Sequence, residues 1–204
     1  MLYIQTKIGS ATSPKPEICP IVIGHIVNNV NGWGKGFVLA VSKLSKAPEA
    51  AYHAWGREGK LLLGNTQFVE AEPNVIIANM VAQNGYANNH ADGVAVNYPA
   101  LAQCLETTFR RAIQLGANAN FPIGMGSGLA GGDKDRILAL IKKVAESTER
   151  AASQFGVANL NITLWEFDDT TASSYVPTTV GAKTDGALGN TGVPQTVVDD
   201  LEDL

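Results

Sequence analysis

Residues 27–36 read Val-Asn-Asn-Val-Asn-Gly-Trp-Gly-Lys-Gly and follow an apolar run over residues 21–27. The pattern predicts a strand, a glycine-rich loop and then a helix. Glycine lets the backbone turn sharply and approach a ligand, and the first turn of a helix presents N–H groups to an anion. Asn28 and Asn31 carry amides that can hydrogen-bond sugar hydroxyls. The stretch predicts a nucleotide-binding loop; the alternative is an ordinary turn in which asparagine caps a helix.

A second glycine-rich loop covers residues 124–132, Gly-Met-Gly-Ser-Gly-Leu-Ala-Gly-Gly. It follows a short apolar run over residues 121–123 and precedes a helical pattern that opens near Asp133, so two phosphate loops indicate a diphosphate. Its spacing also matches the dinucleotide fingerprint, but Glu149, at the distance of the expected acidic partner, falls inside that helix. We therefore exclude a nicotinamide-dependent dehydrogenase.

Other catalytic signatures are absent from the sequence. Ser127 lacks the flanking glycines of a nucleophile elbow, and Lys35 is followed by glycine where a Walker loop has Ser or Thr. His25, His53 and His90 are too dispersed to indicate a metal site. No metal and no cofactor are predicted.

The composition predicts one globular domain with an appendage. The chain has 204 residues, of which 45% are hydrophobic and 17% are charged. This content can build one substantial core, assigned to residues 1–169. No apolar run reaches the length of a membrane span and no signal peptide is evident, so a soluble, cytoplasmic protein is expected. Cys19 and Cys104 have no redox or zinc spacing.

The charge is divided unevenly along the chain. Residues 1–165 carry 14 basic and 11 acidic side chains, whereas residues 166–204 carry 1 and 8. A mildly basic body suits a small anionic ligand but does not predict a surface for duplex nucleic acid. Residues 170–204 form a polar linker with an acidic end, expected either to be a solvated tail or to dock on its own chain or on a neighbouring subunit.

Strand-like and helix-like patterns alternate along the body. This alternation predicts a three-layer α/β/α sandwich with a mixed, mostly parallel sheet, and both loops leave strands and enter helices, where such sheets bind ligands. Residues 66–81 are consistent with a hairpin. The predicted strands cover residues 3–8, 18–27, 66–70, 75–81 and 159–166, and the predicted helices cover 37–44, 49–55, 98–115 and 133–155.

The loop at residues 27–36 resembles the first ligand loop of macro domains, which pairs two asparagines with a glycine cluster. Further motifs resemble the family in the same order: Gly-Ser-Ala-Thr at residues 9–12, the strand at 78–83, the helix start at 98–105, and Pro-Ile-Gly-x-Gly-x-Gly-Leu at 122–129. The resemblance covers roughly residues 1–166. Several ordered motifs are more specific than any single glycine loop.

The resemblance implies ADP-ribose or a close derivative as the ligand. Residues 9–11 would meet adenine, Asn31 the distal ribose, and the loops at 32–37 and 124–130 the two phosphates. Trp33 or Phe37 would stack on or shield a ribose, or serve the core or a lid. The implied ligand-binding residues are Gly9, Ser10, Ala11, Asn28, Asn31, Gly32, Trp33, Gly34, Lys35, Gly36, Phe37, Gly124, Gly126, Ser127, Gly128, Leu129 and Ala130.

Ser10 departs from the family pattern, which usually has Asp there. A carboxylate accepts a hydrogen bond from the adenine amino group more strongly than a neutral hydroxyl does. The substitution therefore opens the site to a different nucleotide, or to a modified or cyclic relative of ADP-ribose.

Macro domains either only bind ADP-ribose or hydrolyse a bond at its distal ribose, releasing protein, nucleic acid or phosphate. Hydrolysis needs a group that positions or deprotonates water. The candidates are His90, Asp92 and Asp133, although the first two also suit a solvated loop and the third a helix cap. Gln83 stands near the place of a lysine nucleophile found in some relatives, which argues against a covalent route.

Three functions follow from these observations. The first is hydrolysis of an ADP-ribosyl group or an ADP-ribose phosphate ester, with an ADP-ribosylated macromolecule as one partner. The second is a non-catalytic reader or sequesterer of ADP-ribose. The third is an interaction protein that acts through its acidic tail.

Overall fold

The computed structural model describes residues 1–13, 19–156 and 159–167. These residues form one six-stranded sheet. Every neighbouring pair is parallel except the pair at the edge formed by the third and fourth strands, which is antiparallel. The strands are β1 (Leu2–Ile8), β2 (Ile21–Asn28), β3 (Thr66–Glu72), β4 (Val75–Gln83), β5 (Asn118–Pro122) and β6 (Leu160–Glu166), in the order β1-β6-β5-β2-β4-β3.

Four helices cover the two faces of the sheet, α1 (Val38–Leu44), α2 (Ala47–Arg57), α3 (Tyr98–Leu115) and α4 (Lys134–Ser153). Successive residues of a strand point to opposite faces. Val22 on β2 therefore packs in one cluster with residues of α3 and α4, whereas Ile23 packs with Val41 of α1 in another. Tyr52 of α2 packs with Val27 of β2 on that second face. The result is the three-layer α/β/α sandwich that the sequence predicts.

Capping residues explain where α3 begins and ends and where α4 begins. The Asn97 side chain accepts a hydrogen bond from the Ala100 N–H at the start of α3, and Gly116 takes a left-handed φ of 61° at its end. The Asp133 carboxylate accepts from the Arg136 N–H at the start of α4. These caps satisfy backbone groups that the helices leave unpaired.

Most predicted elements agree with the structure to within a few residues. The helix predicted over 98–115 has those bounds, and β3 and β4 pair as a hairpin. The structure adds β5, where the sequence showed only a short apolar run, and a single 3-10 turn over Ala87–Asn89. It also extends α2 to Ala47, because Pro48 sits in the first turn of the helix, where its missing N–H costs nothing.

The predicted acidic tail lies outside the described residues, so its docking stays a prediction. Within the described part of the chain, no helix combines the length and the apolar character needed to cross a membrane.

Candidate functional site

The two glycine-rich loops begin at neighbouring strands whose connections run to opposite faces of the sheet. β2 and β5 lie side by side and parallel. The chain leaves β2 towards α1 and α2 on one face and leaves β5 towards α4 on the other. Such a switch point opens a crevice at the carboxyl ends of the strands, which is where parallel α/β sheets bind ligands. The loops at residues 28–37 and 123–132 form the two rims of this crevice.

Three adjoining chambers occupy the crevice. The edge chamber, about 260 Å³, lies at the ends of β1 and β6. The middle chamber, about 250 Å³, lies between the two loops, and the wide chamber, about 730 Å³, extends from loop 28–37 towards the end of β4. Gly36, Phe37 and Pro122 line both the edge and the middle chambers, while Lys35 and Leu129 line both the middle and the wide chambers. The chambers therefore form one row across the sheet.

Asn28 fixes the shape of loop 28–37. Its Oδ1 accepts hydrogen bonds from the Val30 and Gly32 N–H groups at 3.0 and 2.9 Å, and its Nδ2 donates to the Gly32 carbonyl at 2.7 Å. The buried Tyr52 hydroxyl lies 2.9 Å from both the backbone and the side-chain oxygen of Asn28. Burial raises the pKa of Tyr52, so the phenol keeps its proton.

An aromatic cluster lies beneath this loop on the α1 and α2 side of the sheet. The Trp33 ring meets His25 edge-on with centroids 5.5 Å apart and lies 5.2 Å from Tyr52. The Phe37 ring lies 5.9 Å from His25 and is tilted by 53°. Trp33 lines the wide chamber and Phe37 lines the other two, so this cluster forms part of the crevice wall.

His25 is neutral and has a fixed tautomer. Its Nε2 lies 2.6 Å from Asn79 Oδ1, while the Asn79 amide nitrogen donates to Pro48 O and Gln67 Oε1. Because Asn79 Oδ1 is thus the acceptor, His25 carries its proton on Nε2 and keeps Nδ1 as an acceptor. Burial lowers the pKa of His25 to about 4 against the opposing effect of the Asn79 hydrogen bond. Nδ1 has no hydrogen-bond partner among the described residues.

Loop 123–132 holds itself together mainly through its own backbone. The N–H groups of Ser127, Gly131 and Gly132 donate to carbonyls of residues 124, 128 and 126 within the loop, and the Met125 N–H donates to the carbonyl of Pro122 just before it. Gly126 has a φ of 77°, and a Cβ there would meet the Ile26, Val96 and Ile137 side chains. Glycine is therefore required at position 126 both for its backbone conformation and for close packing.

Most of the sequence-predicted binding residues line the crevice. Two side chains do not. Asn31, at φ 59°, directs its amide oxygen to His53 Nδ1 at 2.9 Å, and Ser127 Oγ donates to the Gly124 carbonyl at 3.0 Å. Of the residues that the sequence predicts to bind the ligand, those that line the three chambers are Gly9, Ser10, Ala11, Asn28, Gly32, Trp33, Gly34, Lys35, Gly36, Phe37, Gly124, Gly126, Gly128, Leu129 and Ala130.

Solved structures with the same architecture identify the family. A protein from Bacteroides thetaiotaomicron is 34% identical with a TM-score of 0.67, over 81% of this chain and 99% of that chain. The macrodomain protein of Streptomyces coelicolor is 32% identical with a TM-score of 0.61, over 82% of this chain and 99% of that chain.

The chain belongs to the macrodomain family. A Trypanosoma brucei macrodomain solved in complex with ADP-ribose is 15% identical, with a TM-score of 0.52 over 85% of this chain and 67% of that chain, and this likeness concerns the fold alone. The chain matches no protein-family model and no curated protein sequence.

The predicted catalytic side chains of this macrodomain have local partners away from the crevice walls. Asp133 caps α4, His90 Nε2 lies 2.6 Å from the Asn84 carbonyl oxygen, and Asp92 Oδ1 accepts from the Val94 N–H. None of the three is among the described residues that line the chambers. Each of the three is thus held by a local partner in the structure without ligand, and a role at the distal ribose stays a prediction.

Sequence reasoning missed several walls of this macrodomain crevice. Tyr86 lines the wide chamber, Trp165 the edge chamber, and His25 the middle chamber. Tyr86 could have been noticed as the one aromatic residue in the polar stretch after β4. The position of Trp165 depends on the pairing of β1 with β6, which residue types alone do not reveal.

Proposed function

We propose that this macrodomain binds ADP-ribose or a close derivative along the row of three chambers. The observation that carries the proposal is the continuity of the crevice, whose three parts match in order a base, a diphosphate and a distal sugar. The family and the ADP-ribose bound by the Trypanosoma brucei macrodomain support the same ligand. The chamber volumes fall near or within the range of about 300–1,000 Å³ that is typical of ligand pockets.

The edge chamber suits a planar base. Phe37, Trp165 and the exposed Phe167 contribute aromatic rings to its wall. Ser10 Oγ is 2.9 Å from Thr12 Oγ1 and accepts the Thr12 N–H, so it is a neutral group that is already engaged. We propose that stacking contributes more to base binding here than hydrogen bonding to Ser10 does, which leaves room for bases other than adenine.

The middle chamber suits a diphosphate. Its walls include Gly36 of the first loop and Gly124, Gly126 and Gly128 of the second, where backbone can approach an anion closely. Lys35 is the single Lys or Arg among the described residues that line the three chambers, and it stands where the middle chamber meets the wide one. We propose that its ammonium group neutralises part of the diphosphate charge.

The wide chamber suits the distal ribose and a group attached to it. Polar side chains of Asn28, Gln83, Tyr86 and Asn88 line it together with the Trp33 ring. Its volume of about 730 Å³ is nearly three times that of the middle chamber. We propose that the linkage between the ribose and its attached group lies in this chamber.

Hydrolysis of that linkage is the finer part of the proposal. Asn88 lines the wide chamber, and His90 and Asp92 follow it closely in the same segment. Catalytic hydrogen bonds often form only when ligand is bound. We propose His90 and Asp92 as the groups that position water there, with Asp133 as a third candidate beyond the second loop.

Calorimetry with the full chain tests the binding proposal. We expect ADP-ribose to bind more tightly than ADP, and ADP more tightly than AMP, because each step fills a further chamber. The variant Lys35→Gln should weaken ADP-ribose and ADP but leave AMP less affected. Absence of measurable heat with ADP-ribose at millimolar concentration would exclude the proposal.

Incubation with ADP-ribosylated protein and with ADP-ribose phosphate ester tests hydrolysis. The informative variants are His90→Ala, Asp92→Ala and Asp133→Asn, the last chosen because asparagine still caps a helix. If the rate of ADP-ribose release falls at least tenfold in one variant while binding is retained, the substituted residue is the catalytic group. Binding without turnover of either substrate would make the protein a reader of ADP-ribose.

A further inference from the structure

Trp33 is held in the crevice wall by side chains that do not touch the crevice themselves. The indole Nε1–H donates to Ser42 Oγ on α1 at 2.8 Å. The Ser42 hydroxyl then donates to Glu49 Oε2 on α2, also at 2.8 Å. This relay joins loop 28–37 to two helices, and neither Ser42 nor Glu49 lines any of the three chambers.

The direction of the relay follows from the chemistry of its end groups. An indole N–H only donates and an ionised carboxylate only accepts, so the serine hydroxyl must accept at one end and donate at the other. Lys46 contributes an exposed ion pair to Glu49 Oε2 at 3.2 Å. The hydrogen bonds from Ser42 and then from Lys46 lower the pKa of Glu49, which keeps the carboxylate ionised at neutral pH.

The relay sets the rotation of the indole because its hydrogen bond is directional, whereas the other printed contacts of Trp33 are ring contacts and apolar packing. His25 meets the indole at an interplanar angle of 89° and Tyr52 at 44°. Ring contacts of this kind tolerate a range of geometries, whereas a hydrogen bond of 2.8 Å fixes where Nε1 points. Without its acceptor, the Nε1–H of the half-buried indole would gain by turning towards solvent, and Trp33 borders the wide chamber.

We propose that Ser42 and Glu49 are positioning residues that hold the Trp33 indole as a fixed wall of the wide chamber and thereby set the affinity for the sugar beyond the diphosphate. The inference rests on the proposed function, since it assigns the wide chamber to that sugar. The relay should affect the distal sugar and not the base or the diphosphate, because Trp33 lines the wide chamber and neither of the other two.

Paired affinities for ADP-ribose and ADP measure this selectivity. ADP has the base and the diphosphate but lacks the distal ribose, so it does not reach the wide chamber. We expect Ser42→Ala to weaken ADP-ribose about three- to tenfold, the range for loss of one hydrogen bond, and to change ADP less than about twofold. Ser42→Thr keeps the hydroxyl and should restore ADP-ribose binding to within about twofold of the wild type.

Two further variants separate the relay from the charge around it. Lys46→Ala removes the ion pair but leaves both relay hydrogen bonds, and should bind both ligands as the wild type does. Glu49→Gln keeps an oxygen acceptor without its charge and should fall between the wild type and Ser42→Ala. The Trp33 indole N–H signal in a ¹⁵N–¹H spectrum of the full chain, assigned by its loss in Trp33→Phe, should shift in Ser42→Ala and return in Ser42→Thr.

The outcomes distinguish the inference from the function on which it rests. Equal loss of ADP and ADP-ribose in Ser42→Ala, or no rescue by Ser42→Thr, would overturn the positioning role while ADP-ribose binding by the wild type stands. A wild-type chain that binds neither nucleotide would instead remove the proposed function, and the inference would fall with it.

Discussion

The two loops that form the crevice are built in different ways. Loop 28–37 is held by side chains: its own Asn28 is bonded to three of its backbone groups, Tyr52 reaches it from α2, and Ser42 of α1 holds Trp33. Loop 123–132 is held by backbone hydrogen bonds, both in successive turns within the loop and between the Ala130 carbonyl and the Ala95 and Val96 N–H groups. Its Ser127 side chain is bonded to the same loop. One loop depends on particular side chains, and the other depends on their absence at glycine positions.

This difference predicts two kinds of mutational sensitivity. In loop 28–37, truncating a side chain removes hydrogen bonds and should loosen the wall. In loop 123–132, adding a side chain should do the damage, because space and backbone conformation are the limiting quantities.

The largest effect is expected from Asn28→Ala. The change leaves the Val30 and Gly32 N–H groups without their side-chain acceptor at a site where Asn28 is 7% exposed. The Gly32 carbonyl also loses its donor. At about 1 kcal/mol for each of the three part-buried backbone groups, the free energy of unfolding should fall by about 3 kcal/mol. Urea unfolding measures the loss, and ADP-ribose affinity should fall with it.

Asn29→Ala is the matched control, because Asn29 is the next residue and its side chain also makes two hydrogen bonds. These bonds go to Asn84 Oδ1 and the Gly85 N–H at a more accessible site, so we expect a loss of about 1 kcal/mol or less. A loss in Asn29→Ala equal to that in Asn28→Ala would contradict the assignment of Asn28 as the side chain that fixes the loop.

The second prediction is that acid lowers the stability of the protein through His25, which lies beneath loop 28–37. Burial holds the pKa of His25 at about 4, below the ordinary value of 6.5. Between pH 6.5 and pH 4, His25 therefore binds a proton in the unfolded chain but not in the folded chain. The contribution of neutral His25 to the free energy of unfolding is full above pH 6.5 and declines as the pH falls towards 4. The decline reaches about 3 kcal/mol, since one pKa unit corresponds to about 1.4 kcal/mol.

Unfolding curves at several pH values, compared between the wild type and His25→Gln, isolate this contribution from that of the carboxylates. In His25→Gln, the free energy of unfolding should lose most of its dependence on pH between pH 6.5 and pH 4. Identical slopes in His25→Gln and in the wild type would show that His25 does not titrate across this range on unfolding.

The fold was predictable because local chemistry and tertiary packing agree along most of the chain. Asn97 and Gly116 bound α3 by capping, and the near-continuous apolar run of β2 reflects burial on both faces. β5 was harder to predict, because it is only five residues long and two of those residues are asparagine. Its strand character comes from hydrogen bonds to β2 and β6 on either side, which a local pattern does not contain.

Within the site, the sequence revealed which backbone segments form the crevice but not where each polar side chain points. Asn31 was expected at the distal ribose, yet its left-handed φ places its amide beside His53. Trp33 left a choice between ligand and core, and the structure shows that it packs on His25 and Tyr52 while lining the wide chamber. A glycine pattern therefore predicts the course of the backbone, whereas the partner of a polar side chain depends on the rest of the fold.

The backbone-held loop should show its own sensitivity in Gly126→Ala. A Cβ at a φ of 77° is strained and would crowd Ile26 and Ile137. We expect the free energy of unfolding to fall by about 2 kcal/mol, combining about 1–2 kcal/mol for the left-handed backbone with overpacking. Thermal unfolding followed by circular dichroism measures the loss.

Gly128→Ala is the control in the same loop, since nothing lies within 4 Å of a Cβ at that position. Its stability should match the wild type within about 0.5 kcal/mol, as for most surface substitutions. Equal destabilisation by the two alanines would mean that loop 123–132 is not limited by space at Gly126.

The smallest effect should come from Lys35→Gln, which removes the charge that loop 28–37 supplies and that loop 123–132 lacks. Lys35 is exposed, so stability should not change, while ADP-ribose affinity should fall about three- to fivefold at low salt. The difference should shrink as salt screens an accessible charge. Lys43→Gln, an exposed change on α1 outside the chambers, alters net charge equally and should leave affinity unchanged; an equal loss there would mean that overall charge, and not the position of Lys35, attracts the diphosphate.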